Sequence, residues 1–404
     1  MAAPRSWDVF CHVIDNFGDA AVCWRLAQGL AHPSLSPSPR VRLWIDELRP
    51  LHALVPALFA DRLRQIHAGV EVCHLSAGAD FGAPAEVAVD AFGGGLPAAY
   101  EESLAAVPHG VQPLVIVLEY LSAEAWVAAH HGLPSPHPRL LLQRYFFFPG
   151  FEPGTGGLLR EADLSGRRQQ FLRHPAALEA WWRDAGFAPP PRDATLVSLF
   201  GYENAALGTL LDLWMAAPKP VVAAVPASRL GTQLAGMLAG VPGNSKTVSP
   251  GSGNTVRRGA LEVRFLPFLP QDRYDELLWS ADWNFVRGED SWVRAQWAER
   301  PFLWQVYPQP GATHLAKLEA FLDLYCRGLP APLALALRTV SHAWNGAPAP
   351  LSSTTGPASL AGSVQVLAEA SAVLRRHARS WAARMTNLGD LVQNLTQFSA
   401  ERLK

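Results

Sequence analysis

The sequence is poor in cysteine, in net charge and in long apolar runs, and each shortage excludes a class of protein. Four of the 404 residues are cysteines, none in a Cys-x-x-Cys or Cys/His spacing, so we expect buried free thiols rather than disulfides or a zinc module. The formal net charge of −1 excludes a global basic field for nucleic acid or an anionic membrane. No signal peptide and no apolar run of membrane-spanning length is recognisable. We therefore expect a cytoplasmic protein with neither nucleic acid nor membrane as partner.

Several ligand-binding motifs are missing as well. There is no Gly-x-x-x-x-Gly-Lys-Ser/Thr loop, which argues against a P-loop enzyme. There is no Asp-x-Asp pair, which argues against one kind of metal-dependent nucleotide-sugar site. The segment Gly93–Ala98 formally matches a dinucleotide fingerprint, but Pro97 stands where the helix should open. The histidines show no metal-ligand pattern, so we expect neither a bound metal nor a resident cofactor.

What is present indicates a large α/β protein. Hydrophobic residues make up 49% of the chain and charged residues 17%, a globular composition, and the length favours two domains. Runs of β-formers alternate with helix-length segments, which is typical of parallel, doubly wound sheets. A proline-rich linker is predicted at 187–192, a loop at 243–259, and helix from Ser363 to the end. The candidate strands are Trp7–Ile14, Val41–Ile45, Val70–Cys73, Val87–Asp90, Pro113–Glu119, Leu140–Arg144, Ala194–Phe200, Pro220–Val225, Leu261–Leu266, Asp282–Val286 and Pro301–Val306.

A first candidate site follows the first predicted strand. Asp15 and Asp19 stand four residues apart, with Asn16 and Gly18 to make the turn. In an open α/β sheet, ligands bind at the carboxyl ends of the strands, where such a turn lies. From the local sequence alone, a turn with a helix cap explains the two carboxylates equally well.

A second candidate site is the start of a helix in the second half. Arg287 to Ser291 lead into that helix, and a helix N-terminus offers backbone N–H groups and a positive dipole end that suit a phosphate. Arg287 can add a charge-assisted bond and Ser291 a hydroxyl. The alternative is that Asp290 or Ser291 simply caps the helix.

Three further side chains follow other strands of this half. Phe268 and Gln271 could stack on a base and hydrogen-bond to it, although packing and capping are the commoner roles of such residues. Tyr202 could direct its phenol to the same site, or be an ordinary half-buried aromatic.

Together these residues resemble a known family. They are similar to bacterial protein-arginine rhamnosyltransferases, which modify translation elongation factor P. Gly201 departs from the family, where a side chain is expected. The resemblance runs through Val13–Asp19, Cys23–Ala27, Leu118–Glu124, Tyr145–Phe151, Gly156–Glu161, Ser198–Glu203 and Phe285–Ser291.

The resemblance implies a fold of two Rossmann-like domains facing a central cleft, the type called GT-B. The first domain would span residues 1–186, joined by a C-terminal helix at 376–404, and the second would span 187–375. It implies transfer of rhamnose from dTDP-β-L-rhamnose to an arginine of elongation factor P, with inversion and without a metal. Asp19 would be the general base and Asp15 the residue that orients the guanidinium, or the reverse. The implied donor-binding residues are Asn16, Phe17, Gly18, Phe200, Tyr202, Phe268, Gln271, Arg287, Glu289, Asp290 and Ser291.

Two other hypotheses stay open. The chain could be a related transferase with another donor or acceptor, or a non-catalytic module that binds a nucleotide or a translation factor. The intact pair Asp15 and Asp19, present together with the intact stretch from Arg287 to Ser291, argues against the binding module, which has no need of both.

Overall fold

The structure, a computed structural model, describes residues 3–14, 17–32, 38–108, 112–239, 253–309, 311, 313–347 and 359–403. The chain divides into two compact units. The first domain comprises Met1–Ala162 with Arg384–Lys404, and the second comprises Asp163–Ala383.

The first domain is built on one twisted, mainly parallel sheet. Its strands are β1 (Ser6–Cys11), β2 (Arg40–Ile45), β3 (Arg64–His67), β4 (Val70–His74), β5 (Val87–Ala91), β6 (Leu114–Leu118) and β7 (Gln143–Phe147). Among the described residues they lie in the order β3-β4-β2-β1-β5-β6-β7, and β3 is antiparallel to β4. Helices α1 (Gly18–Leu30), α2 (Leu48–Leu54), α3 (Ala98–Ala105) and α4 (Val127–His130) connect the strands. Strands β5 and β6 are buried along their whole length, as parallel strands covered on both faces are; β6 is a continuous apolar run, while β5 also contains the buried Asp90.

The second domain repeats this plan. Its strands are β8 (Thr195–Leu199), β9 (Val221–Val225), β10 (Thr255–Arg258), β11 (Leu261–Phe265), β12 (Trp283–Arg287) and β13 (Phe302–Gln305). In the described part of the chain their order is β10-β11-β9-β8-β12-β13, with only β10 antiparallel to its neighbour. Its helices are α5 (Leu164–Arg173), α6 (Pro175–Asp184), α7 (Ala206–Met215), α8 (Arg229–Ala239), α9 (Gln271–Ser280), α10 (Asp290–Trp297), α11 (His314–Tyr325), α12 (Ala331–Trp344) and α13 (Leu360–Glu369).

Two helices end the chain, α14 (Ser371–Thr386) and α15 (Leu391–Arg402). The division between the two units falls within α14, and α15 belongs to the first domain. The Leu391 N–H donates to the Leu158 carbonyl at 3.0 Å, and Asn394 donates to the Gly156 carbonyl at 3.0 Å. Gly157 has φ +73°, and a Cβ there would lie 2.7 Å from the Gly389 carbonyl oxygen. This close backbone contact requires glycine at position 157.

The domain boundary differs from the one expected at 186/187. Helices α5 and α6 belong to the second domain, where the Trp181 indole donates to the Arg273 carbonyl at 3.2 Å. The Phe171 ring packs on Trp279 with centroids 5.8 Å apart. A proline-rich linker is visible in a sequence, but these long-range contacts, which decide where the two helices pack, are not.

Three local predictions were wrong. The edge strand β3 was missed, and β10 lies inside the predicted loop 243–259, of which residues 243–252 are outside the described part. Both strands are short, rich in arginine and paired on one side only, so they lack the apolar pattern of the inner strands. Strand β7 begins at Gln143 instead of Leu140, because Gln143 is the residue that pairs with Leu114 of β6.

Among the described helices, none is long and apolar enough to cross a membrane.

A pH-dependent contribution to stability follows from His131. Its Nδ1 accepts the Phe148 N–H at 3.1 Å, and its ring packs on Phe147 and on Phe398 of α15. Burial, together with the nearby Arg402, lowers the pKa of His131 below its usual 6.5. The unfolded chain therefore binds this proton more readily than the folded one, so the stabilisation is complete above pH 6.5 and is lost as the pH falls towards the folded value.

We expect His131→Gln to weaken the dependence of the unfolding temperature on pH between 8 and 5, because glutamine can accept the Phe148 N–H but does not titrate. Scanning calorimetry at several pH values measures the slope. His130→Gln, at an exposed neighbouring position, serves as the control that keeps the wild-type slope. A wild-type slope in His131→Gln would contradict the assignment.

Candidate functional site

In the first domain, candidate site residues lie at the carboxyl ends of β1, β5 and β6. These strands are neighbours in the sheet, and the strand order reverses between β1 and β5, the place where doubly wound sheets bind ligands. Asp19 follows β1, Phe92 follows β5, and Glu119 and Tyr120 follow β6. Sequence positions far apart are therefore brought to one edge of one sheet.

Asp19 is the central residue of this edge. It lies in the first turn of α1 and is only 2% exposed. One carboxylate oxygen accepts the Ile14 N–H at 2.8 Å, and the other lies 3.3 Å from the Tyr120 hydroxyl, which donates to it. Asp19 is not the N-cap residue, which is Phe17; it lies in the first helical turn and accepts a hydrogen bond from the loop before the helix.

The structure describes only some of the other predicted residues of this loop. Asp15 and Asn16 lie outside the described residues. Phe17 occupies the N-cap position of α1, its carbonyl accepting the Ala21 N–H at 2.9 Å, and Gly18 is the first helical residue. Their predicted donor contacts stay predictions.

A second carboxylate supports the same loop from β2. The Asp46 carboxylate accepts the Val13 N–H at 3.0 Å and contacts His12 Nδ1 at 3.0 Å. The other ring nitrogen of His12 lies 3.2 Å from the Gly95 carbonyl oxygen, and Asp90 accepts the Gly95 N–H at 2.8 Å. The loop after β1 is thus tied to the ends of β2 and β5 by polar contacts.

Two more acids lie on this edge. Burial raises the pKa of Asp90, and burial together with the Asp90 charge raises the pKa of Glu119. Next to Glu119, the Tyr120 ring stacks on Phe92 with centroids 4.3 Å apart and an interplanar angle of 12°. The sequence did not single out Phe92 or Tyr120 as a site residue, although Tyr120 lies in the segment Leu118–Glu124 that carries part of the family resemblance. An acidic, aromatic edge of this kind suits a cation such as a guanidinium.

In the second domain the corresponding edge holds an arginine between aromatic rings. The strand order reverses between β8 and β12. The Arg287 guanidinium lies 4.6 Å from the ring centroid of Phe200 and 4.5 Å from that of Tyr202. The structure therefore brings together three of the predicted residues, and these cation–π contacts hold a planar cation at the start of α10.

Ser291 secures the same turn. Its Oγ accepts the Arg287 N–H at 2.9 Å and donates its own proton to the Arg287 carbonyl. Glu289 is the N-cap residue of α10, but its side chain makes no capping hydrogen bond, and Asp290 lies in the first turn. Both of these hydroxyl contacts are with the Arg287 backbone, so Ser291 holds Arg287 at the start of the helix.

Helix α9 fixes the position of α10. Arg294 and Asp275 form a buried bidentate ion pair, with N···O distances of 2.9 and 2.7 Å. Phe268 and Gln271 precede and begin α9, at the carboxyl end of β11. They lie on the same edge of the sheet as Arg287, and their contact with a base stays a prediction.

Gln305 was missed by the sequence analysis. Its side-chain oxygen accepts the Tyr202 N–H at 2.8 Å, and a Cβ on Gly201 would lie 2.7 Å from that oxygen. A side chain at position 201 would therefore collide with the buried amide of Gln305, which explains the glycine there. A buried glutamine ending a strand was the available signal.

The described part of the two edges shows no obvious metal site. Within the residues that the structure describes, no group of three or more His, Cys, Asp or Glu side chains is placed to hold a metal ion.

Comparison with known proteins identifies the class and then the family. Two doubly wound α/β domains with a helical C-terminal region, an acidic edge on the first and an arginine-bearing helix start on the second, define a glycosyltransferase of the GT-B class. The family model described as "Elongation-Factor P (EF-P) rhamnosyltransferase EarP" matches residues 7–400. The chain belongs to this family.

Individual relatives agree with that assignment. A protein-arginine rhamnosyltransferase of Pseudomonas putida is 43% identical over 397 residues, covering 97% of this chain and 98% of the relative. One from Shewanella oneidensis is 36% identical, covering 97% of each chain. A solved structure concerned with EarP-mediated arginine glycosylation of elongation factor EF-P is 32% identical, with a TM-score of 0.65 and coverage of 98% and 99%.

We predict that Ser291→Ala destabilises the second domain. The substitution leaves the Arg287 N–H without its acceptor in a partly buried turn, which costs about 1–3 kcal/mol. Urea unfolding measures the loss. Ser280→Ala is the matched control, because the Leu277 carbonyl that Ser280 contacts also accepts the Ala281 N–H. Equal stability of the two variants would contradict the structural role of Ser291.

Proposed function

We propose that this protein transfers L-rhamnose from dTDP-β-L-rhamnose to an arginine of translation elongation factor P, with inversion and without a metal. Membership of the family supports the reaction and the acceptor. The observation that carries the chemistry is the buried Asp19 carboxylate, held by two hydrogen bonds at the switch point of the first domain.

An arginine side chain is a difficult nucleophile. Its pKa lies above about 12, so the guanidinium keeps its proton at any ordinary pH. A carboxylate can bind the cation, aim one nitrogen at the sugar and accept the proton as the N–C bond forms. Asp19 is proposed as this base, and Asp15 as the residue that orients the guanidinium.

Inversion requires a single displacement at the anomeric carbon. The guanidinium nitrogen forms its bond to that carbon while the bond from the carbon to the diphosphate oxygen breaks, and the nitrogen's proton passes to Asp19. The departing dTDP then carries additional negative charge. Arg287 and the N-terminus of α10 are proposed to stabilise it, because a guanidinium and a helix dipole both favour an oxyanion.

The remaining donor contacts follow the same division of tasks. Phe200 and Tyr202 hold Arg287 between their rings, while Phe268 and Gln271 are proposed to recognise the thymine. Glu289 and Asp290 are proposed to contact the ribose and Ser291 to support the diphosphate site. Asn16, Phe17 and Gly18 are proposed as donor contacts from the first domain.

The variant Asp19→Asn tests the proposed general base. Loss of the base should reduce transfer by roughly 10²- to 10⁴-fold, with dTDP-rhamnose affinity almost unchanged. Mass spectrometry of elongation factor P measures the gain of one deoxyhexose on arginine, and calorimetry measures donor affinity. Asp61→Asn, an exposed acid of the same domain, is the control that keeps full activity. Wild-type turnover by Asp19→Asn would contradict the assignment.

The unfolding temperature measured with different nucleotide sugars tests the proposed donor. A ligand at 100 times its Kd adds about 2.7 kcal/mol to the stability of the fold that binds it. At equal concentration, dTDP-rhamnose should therefore raise the unfolding temperature more than UDP-glucose does. Ser291→Ala should reduce that increase, while Ser280→Ala should keep it. Equal protection by both nucleotide sugars would favour a transferase with another donor.

A further inference from the structure

Phe92 has a backbone conformation that an aromatic residue rarely adopts. Its φ is +61°, in the left-handed region that strongly favours glycine. The chain nevertheless places it directly after β5, where its N–H donates to the Leu118 carbonyl at 2.6 Å. Three glycines follow immediately, Gly93, Gly94 and Gly95, so the turn continues with the residue type that this conformation favours. The side chain of Phe92 therefore needs an explanation beyond the turn itself.

The contact of that side chain is the Tyr120 ring. The two rings lie nearly parallel, with centroids 4.3 Å apart. Tyr120 is 37% exposed, so surrounding protein covers it only in part. The stack on Phe92 supplies a flat support that limits rotation of the phenol.

The phenol in turn contacts Asp19. Its hydroxyl lies 3.3 Å from one carboxylate oxygen, while the Ile14 N–H binds the other at 2.8 Å. The terminal torsion of an aspartate is broad, so hydrogen bonds to both oxygens restrict the carboxylate plane more than a bond to one oxygen does. Contacts to both oxygens define that plane.

We propose that Tyr120 is a positioning residue for the transfer reaction. Its hydroxyl orients the Asp19 carboxylate towards the guanidinium proton, and Phe92 holds the Tyr120 ring in place. The inference rests on the proposed role of Asp19 as general base, because orientation matters for a group that must accept a proton along a defined direction.

Tyr120→Phe tests the hydroxyl alone, since phenylalanine keeps the stack on Phe92. Loss of one hydrogen bond should lower kcat by about 3- to 10-fold, with KM for donor and acceptor and the unfolding temperature unchanged. Phe92→Leu removes the stacked ring and should lower kcat in the same way. Since both substitutions act through one carboxylate, the double variant should lose less activity than the product of the two single losses.

Tyr100→Phe is the matched control, because it deletes the same atom elsewhere in the first domain. The Tyr100 hydroxyl donates to the buried Asp8 carboxylate at 2.5 Å. Its loss should lower the unfolding temperature and leave kcat unchanged, which is the reverse of the effect expected for Tyr120→Phe.

Initial rates of deoxyhexose addition to elongation factor P, measured alongside Asp19→Asn, distinguish the outcomes. An inactive Asp19→Asn with a fully active Tyr120→Phe would overturn the positioning role and leave the base in place. A fully active Asp19→Asn would overturn the proposed base itself. If Tyr120→Phe lowers kcat and also lowers the unfolding temperature as much as Tyr100→Phe does, the effect is structural and the inference is overturned.

Discussion

The backbone N–H groups at the carboxyl ends of β1, β8 and β12 need hydrogen-bond acceptors, and this need organises both candidate sites. Once a strand leaves the sheet, its N–H groups lose their partners in the ladder, and a buried N–H without a partner is costly. In the first domain, Asp46 accepts from Val13 and Asp19 accepts from Ile14. In the second, Gln305 accepts from Tyr202 and Ser291 from Arg287. The polar side chains at the two edges are therefore structural parts of the loops that carry them.

This dependence explains which parts of the molecule were predictable from the sequence. The inner strands are mainly apolar and the helix starts follow turn residues, so β1, α1, β12 and α10 were located to within a few residues. Asp19 and Arg287 stand directly at those junctions and were found with them.

The missed residues share a different property. Tyr120 reaches Asp19 across 101 positions of sequence, and Gln305 reaches Tyr202 across 103. The first contact exists because β1 lies near β6 in the sheet order. The second exists because β8 lies near β12 and β13. A local pattern contains no information on that order. The domain boundary differed for the same reason, since contacts such as that of Trp181 with Arg273 decide which sheet a helix covers.

The double task of Asp19 places a condition on the reaction. The carboxylate that is proposed to accept the substrate proton also holds the loop after β1, so protonation must not release the loop. The two oxygens have separate contacts, Ile14 at Oδ2 and Tyr120 at Oδ1. A neutral carboxyl group keeps an acceptor oxygen after it gains a proton. If the proton is received on Oδ1, Oδ2 still accepts the Ile14 N–H. The loop can therefore persist through each proposed turnover.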